Sequence, residues 1–358
     1  MDLSVDLCGS RLPHPLILAS GPLSWNAAGI RAAYAAGAAA VVTKTIRPRA
    51  TTNPTPHIAA AGAGSLLNTE GWSDLPATQW LEEELPSLAG RSGVLVVSTG
   101  QTPAEVAELA APLAHAGADL LELVSYRAGD AAPMVAAARR AVSIPILVKV
   151  SANWANLEEV VEACLAEGVD GITAIDSVGP ALRLDLHRRR PLLGSGAWLS
   201  GRAILPLALR AVAEIALRHP VPVIGTGGVA SAEDVVEMVM AGATAVGAHS
   251  APLLQGLGWF STTVTQMERW LRLHGEPSLA GLRGAALDAL REQPGHAPLE
   301  FLFSPESCTE CGRCVTVCAY GARRMAPDRH MLLDRSLCRS CGLCASVCSP
   351  EALVLRPS

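Results

Sequence analysis

Eight short apolar runs, rich in Val, Ile and Leu, recur through the first 250 residues of this chain with Ala-rich helical stretches between them. The runs are residues 16–19, 40–43, 94–97, 120–124, 146–150, 171–175, 223–225 and 245–247. Helical periodicity fills 27–36, 103–115, 133–141, 157–167, 204–217 and 232–240. Strands without polar alternation suit a parallel sheet covered on both faces. Eight of them alternating with helices over about 250 residues are what a closed (β/α)8 TIM barrel requires. Alternation alone does not separate this from an open, doubly wound sheet, but no G-x-G-x-x-G follows the first run to support the open form. The expected fold is therefore α/β, with a barrel over residues 1–290, a linker at 291–300 rich in Pro and Gly, and a small unit over 301–358.

That last unit carries eight of the ten cysteines, spaced C-x2-C-x2-C-x3-C twice: Cys308, Cys311, Cys314 and Cys318, then Cys338, Cys341, Cys344 and Cys348. A thiolate every third residue lets a tight loop hold three corners of an iron–sulfur cube, and in two-cluster ferredoxins the fourth Cys of each run ligates the other cluster. One 4Fe–4S cluster is thus assigned to Cys308, Cys311, Cys314 and Cys348, and a second to Cys338, Cys341, Cys344 and Cys318. Structural zinc needs longer gaps between paired Cys, and disulfides belong to secreted chains. The Pro that often follows the last Cys is replaced by Ala319 in the first run and comes one residue late, as Pro350, in the second. Cys8 and Cys164 fall outside the pattern and read as small buried hydrophobes. The unit is expected to be a ferredoxin-like α+β domain.

With 50% hydrophobic and 17% charged residues the chain can bury a large core. Its net charge of -5 argues against a nucleic-acid partner, which wants a basic face. The first ten residues hold two Asp and no basic segment, and no uncharged stretch is long enough to span a bilayer. A cytoplasmic setting without membrane contact is expected, consistent with reduced thiols.

In a barrel the chemistry sits where strands end and βα loops begin. Of 28 basic residues only two are lysine, Lys44 and Lys149, and both stand at strand ends, in VVTKT and ILVKV. A compact ammonium fits where a planar guanidinium does not, so both are expected to face an anionic or electron-rich ligand. The seventh strand runs into Gly225-Thr226-Gly227-Gly228 and the eighth into Ala248-His249-Ser250-Ala251. Glycines there let backbone N–H groups approach a phosphate, at the standard phosphate site of this fold. A phosphorylated redox cofactor beside iron–sulfur clusters is most simply FMN.

These residues resemble the dihydroorotate dehydrogenase superfamily, most closely its dihydropyrimidine dehydrogenase branch, in which an FMN barrel is joined to a C-terminal two-cluster ferredoxin domain. The resemblance rests on Leu18-Ala19-Ser20, Thr43-Lys44-Thr45, Leu67-Asn68, Glu122-Leu123, Lys149, Ala174-Ile175-Asp176-Ser177, Ser200-Gly201, Gly227-Gly228 and Ser250-Ala251. It implies that Ser20, Lys44, Thr45, Lys149, Gly201, Gly227, Gly228, His249 and Ser250 line FMN, with Lys149 near N1 and the C2 carbonyl. It also implies that Asn68, Asp176 and Ser177 meet the substrate.

Two departures stand out. Where the family carries an Asn and then a Ser-Cys-Pro element with the acid/base Cys, this chain has Val124-Ser125-Tyr126-Arg127. The family's Asn–Thr pair after strand six has become Asp176–Ser177. The resemblance thus implies an intact flavin half and a rewritten substrate half. Tyr126, Ser125 and Arg127 are the first candidates to replace the missing acid, with Tyr126 preferred because a phenol can donate a proton opposite a hydride; His57 and Asp176 are further ones. Trp25, Trp72, Trp154 and Trp198 are candidates for an apolar pocket wall.

From 259 to about 290 the pattern is helical, with Trp259, Met267, Trp270 and Leu271 suited to packing on the barrel. No nicotinamide fingerprint is present, so the expected electron partner is a protein, a ferredoxin or an NAD(P)H-oxidising flavoprotein subunit. The ferredoxin-like unit is expected to dock on its own barrel or on that of a second copy in a homodimer. Its arginines, Arg323, Arg324, Arg329, Arg335 and Arg339, suit an acidic redox partner. The activity expected is transfer of electrons between such a partner, two clusters and FMN, to reduce or form an activated C=C bond in a small molecule. A non-catalytic electron relay is the other reading.

Overall fold

The computed structural model describes residues 1–194, 196–291, 299–326 and 331–357, and the chain divides into two compact units, Met1–Leu290 and Arg291–Ser358. Residues 292–298 of the expected linker lie outside the described residues, while Arg291 ends a helix and Leu299 begins a strand.

The first unit is a closed, parallel, eight-stranded barrel. Its strands are β1 (Leu16–Leu18), β2 (Ala40–Val42), β3 (Val94–Gly100), β4 (Leu120–Val124), β5 (Ile146–Val150), β6 (Gly171–Ala174), β7 (Val223–Thr226) and β8 (Ala245–Ala248), each beside its sequence neighbour. β8 closes on β1 through the pairs Val246↔Leu16 and Ala248↔Leu18. Successive side chains of a strand point to opposite faces, and here both faces are dry. Leu121, Leu123, Val148 and Val150 pack outward under the helices, while Leu120, Leu147, Ile17 and Ile224 pack inward. Below them the N-terminal hairpin, Val5–Leu7 with Ser10–Leu12, pushes Leu7 and Leu12 into the barrel floor. Cys164 is buried as expected, but Cys8 is only half-buried, because it occupies the hairpin turn and its thiol donates to the Asp170 carbonyl at 3.4 Å.

The helices Pro103–His115 and Ala232–Met240 have the expected limits, since Thr102 and Ser231 cap their first turns. The C-terminal helical stretch does not. Trp259–His274 stops at Gly275, whose φ of 71° ends the helix in the left-handed region, and Leu282 then packs on the barrel from a separate turn.

A four-stranded antiparallel sheet lies outside the β1–β8 pattern. It joins Ile58–Gly62 and Ser65–Asn68, from the β2 loop, to Ala197–Gly201 and Val178–Ala181, from the β6 loop. The pairs Asn68↔Trp198 and Ser65↔Gly201 bring these two loops together. These short strands carry no long apolar run, so sequence periodicity did not announce them.

In the second unit Leu299–Phe303 pairs with Leu353–Pro357 and Arg323–Met325 with Met331–Leu333, both antiparallel. Two one-turn helices, Arg313–Thr316 and Leu343–Ser346, stand in the cysteine loops.

Candidate active site and cysteine cassette

Inside the barrel, period two converts an apolar floor into a charged layer. Leu120 is floor and Glu122, two residues on, is 1% exposed; Leu147 is floor and Lys149 stands above it. Glu122 accepts a hydrogen bond from the Thr173 hydroxyl at 2.9 Å, and its other oxygen has no partner. Burial pushes the Glu122 carboxyl above the usual carboxylate range, against the pull of Lys149. Burial works against the Lys149 ammonium, but the Asp176 and Glu122 carboxylates outweigh it and hold Lys149 above its ordinary value.

Above this layer opens a cleft with about 1090 Å3 of space, part of it open solvent, framed by the strand ends and the added sheet. All nine residues expected at the cofactor line it: Ser20, Lys44, Thr45, Lys149, Gly201, Gly227, Gly228, His249 and Ser250. So do Asn68, Asp176, Ser177 and Tyr126. Lys149 Nζ lies 3.2 Å from Asp176 Oδ1, and Lys44 Nζ lies 2.8 Å from Glu70 Oε1 and 3.5 Å from Asp74 Oδ1. Thr45 shares a buried hydrogen bond of 2.9 Å with Ser98. Glu70 escaped the sequence reading; its only signal is an acid two positions after Asn68.

The backbone suits a phosphorylated flavin at the β7–β8 end. Gly228 has φ 86°, and a Cβ there would stand 2.4 Å from the Leu205 nitrogen; on Gly201, with φ 81°, it would stand 2.3 Å from the Gly64 carbonyl oxygen. Both positions admit only glycine. Thr226 Oγ1, also lining the cleft, is buried without a partner. These are features of a cradle built for a polar group to fill.

His249 is fixed by two bonds. Its Nδ1–H donates to the Ala19 carbonyl at 2.7 Å and its Nε2 accepts the Leu23 N–H at 3.4 Å. Burial, then the charges of Lys149 and Lys44, push its pKa down to about 4. The unfolded imidazole protonates near its ordinary value, so the folded chain should lose up to about 3 kcal/mol of stability as pH falls from 6.5 through 4. Denaturant unfolding at several pH values should show this slope in the wild type and a shallower one in His249→Asn.

The three proton-donor candidates separate. Tyr126 lines the cleft, stacked on Trp198 (centroids 5.1 Å apart) with Trp72 tilted against it (4.8 Å). Burial, with the Asp176 and Glu70 carboxylates, raises its phenol above the ordinary range, so it stays protonated. Ser125 is buried outside the cleft, its hydroxyl accepting the Arg127 N–H at 3.1 Å. The Arg127 side chain is 81% exposed and pairs with Asp130 at 3.6 Å. The turn after β4 aims only the middle residue of the three inward. His57 also misses the cleft, donating to the Pro54 carbonyl at 2.9 Å. Of the tryptophans, Trp72 lines the cleft, Trp198 and Trp154 support Tyr126, and Trp25 is exposed.

In the second unit, Cys318, Cys338, Cys341 and Cys344 line one small cavity, and Cys314 lies close enough to Cys348 and Cys308 for their charges to act on it. The fourth Cys of each run therefore sits with the other run. The two loops repeat each other thirty positions apart (308 to 338): Glu310 and Ser340 have φ 56° and 53°, Gly312 and Gly342 have 71° and 80°. Cys308 Sγ accepts the Glu310 N–H at 3.4 Å, and Cys338 Sγ accepts the Ser340 N–H at 3.5 Å. N–H groups aimed at sulfur are how a protein loop fits an iron–sulfur cluster. Among the described residues no three His, Cys, Asp or Glu close on a single ion, and no helix is long and apolar enough to cross a membrane.

Comparison with known proteins agrees with both halves. Residues 2–271 match the family described as dihydroorotate dehydrogenase, and residues 307–352 match a 4Fe-4S dicluster domain. Among similar proteins, the dihydroorotate dehydrogenase B (NAD(+)) catalytic subunit of Pelobacter propionicus is 33% identical over 303 residues, covering 79% of this chain and 98% of that protein. The subunit of the same name from Pyrococcus abyssi is 33% identical over 305 residues, covering 80% and 99%. That from Bacillus pumilus is 35% identical over 267 residues, covering 70% and 85%. The chain belongs to the dihydroorotate dehydrogenase family, as a flavin-dependent oxidoreductase of the CH–CH class with a C-terminal 4Fe–4S domain.

Proposed function

We propose that this chain reduces, or forms, an activated C=C bond in a small molecule other than a standard pyrimidine, in the manner of dihydropyrimidine dehydrogenase. Two 4Fe–4S clusters link the barrel to a redox partner protein, a ferredoxin or an NAD(P)H-oxidising flavoprotein subunit. Bound FMN supplies hydride transfer. The chain's own residues do the rest. Gly201, Gly227 and Gly228 give the phosphate its room, and Thr226 offers a hydroxyl. Lys149 puts positive charge where negative charge gathers on reduction, and Tyr126 holds the proton.

The observation that carries this reading is the position of Tyr126, clamped by two tryptophans on the wall that both lysines line. A relay of electrons needs no acid there. The relatives' name points to dihydroorotate, but the loop after β4 lacks the cysteine that the family resemblance leads one to expect.

Protein purified without oxygen should hold about one flavin and eight iron atoms per chain. Its reduced flavin should be reoxidised by members of a panel of cyclic enones, enoates and amides, and Tyr126→Phe should slow this about 10²-fold with flavin content unchanged. Absence of flavin overturns the reading. Reoxidation by a partner protein alone, with no small molecule active, replaces it with the relay.

A further inference from the structure

Every cation on the cleft wall already has a carboxylate. Among the described lining residues the basic side chains are Lys44, Lys149 and His249. Lys44 pairs with Glu70 at 2.8 Å, Lys149 pairs with Asp176 at 3.2 Å, and both of His249's ring nitrogens are engaged by backbone. Glu70 and Asp176 line the cleft themselves, with Asp74 beside Lys44 and Glu122 beneath Lys149. The cofactor's phosphate adds further negative charge. Should the flavin draw Lys149 away from Asp176, a bare carboxylate would be left on the wall.

The hydrogen-bonding character of the wall follows. A carboxamide offers one acceptor and one pair of donors, and so reads a lactam edge of N–H beside C=O. A carboxylate only accepts. Asp176 Oδ1 is taken by the Ser177 N–H at 2.8 Å and by Lys149 at 3.2 Å, and among the described residues nothing donates to Oδ2. The flat face of Tyr126, stacked on Trp198 with the planes 10° apart and with Trp72 tilted against it, is on the same wall.

We propose that Asp176 and Glu70 set the specificity of this cleft for a planar ring bearing amine or amidine N–H donors, neutral or cationic, and exclude rings that carry a carboxylate. The inference rests on the reading of the cleft as a substrate site. It separates this chain from a dihydroorotate dehydrogenase, whose named substrate bears a carboxylate. Like charges juxtaposed in a confined site are a direct means of rejecting the wrong ligand.

Benzamidine, benzamide and benzoate share one ring and differ only in the head group, which is respectively a cationic donor pair, a donor with an acceptor, and an anionic acceptor. Titrated into the oxidised holoenzyme, with tryptophan fluorescence and the flavin absorbance as readouts, they should bind in that order, with at least about tenfold between first and last. Asp176→Asn should narrow or reverse the order, and Glu70→Gln should narrow it. Benzoate binding as tightly as benzamidine, benzamidine failing to saturate, or an order unchanged in both variants overturns the proposal. The fluorescence arm reads the order in a preparation without flavin as well. Loss of flavin therefore counts against the functional reading alone, while an inverted order in a flavin-loaded protein counts against this inference alone.

Discussion

Replacing Lys149 by methionine should slow flavin reduction by about 10²- to 10³-fold, the range for removing one preorganised electrostatic partner, and should cost about 3–5 kcal/mol of stability. The second loss follows from geometry: Lys149 is the positive charge between Asp176, 3.2 Å away, and the buried Glu122. Without it two acids lie close together with no counter-charge. A double variant, Lys149→Met with Asp176→Asn, separates the effects. Neutralising Asp176 should return most of the stability, measured by denaturant unfolding, and none of the reduction rate, measured by anaerobic stopped flow. If the rate returns with the stability, Lys149 is structural and its place beside the flavin is wrong. Lys149→Arg should fail as well, since a wide planar guanidinium does not reproduce a compact ammonium held between Asp176 and the buried Glu122.

The other large effect belongs to the cassette. Cys341→Ser should remove about four of eight iron atoms and leave the flavin in place. Electron entry from an external protein should fall to background, while flavin reduced directly by light or dithionite still turns over. Cys348→Ser tests the crossed ligation. It follows Cys344 in sequence, yet Cys314 lies within reach of its charge, and Cys318 lines the cavity of Cys338, Cys341 and Cys344. Its loss should therefore damage the cluster held by Cys308, Cys311 and Cys314. Electron paramagnetic resonance of the two serine variants should show different surviving clusters. Identical spectra would reject the crossing.

The reach of the sequence can be judged from particular residues. Lys44 and Lys149 were legible because the chain uses arginine almost everywhere else, and their strand-end placement needed only period two and a barrel. Gly227 and Gly228 were legible as a tight turn at the end of β7, where both take positive φ. Ser125 and Arg127 were not separable from Tyr126, because the direction of three consecutive loop residues depends on the turn after β4, which buries the first and exposes the third. Glu70 was not legible at all. Its role comes from Lys44, 26 positions earlier in the chain, and no local pattern encodes such a contact.

By itself the sequence determined the barrel, the two cysteine runs and the residues that line the glycine-rich end of the cleft. Each of these is written in a short repeating unit: alternate residues of a strand, thiols three apart, or glycines at a turn. Only the tertiary structure decided the substrate end. There the sheet that joins the β2 and β6 loops places Asn68 against Trp198, and Tyr126 lies between Trp72 and Trp198 from two other loops, stacked on the second. The charge state of that wall, two lysines each held by its own carboxylate, is a property of distances between loops. Such distances are fixed by packing, after local pattern has done all it can.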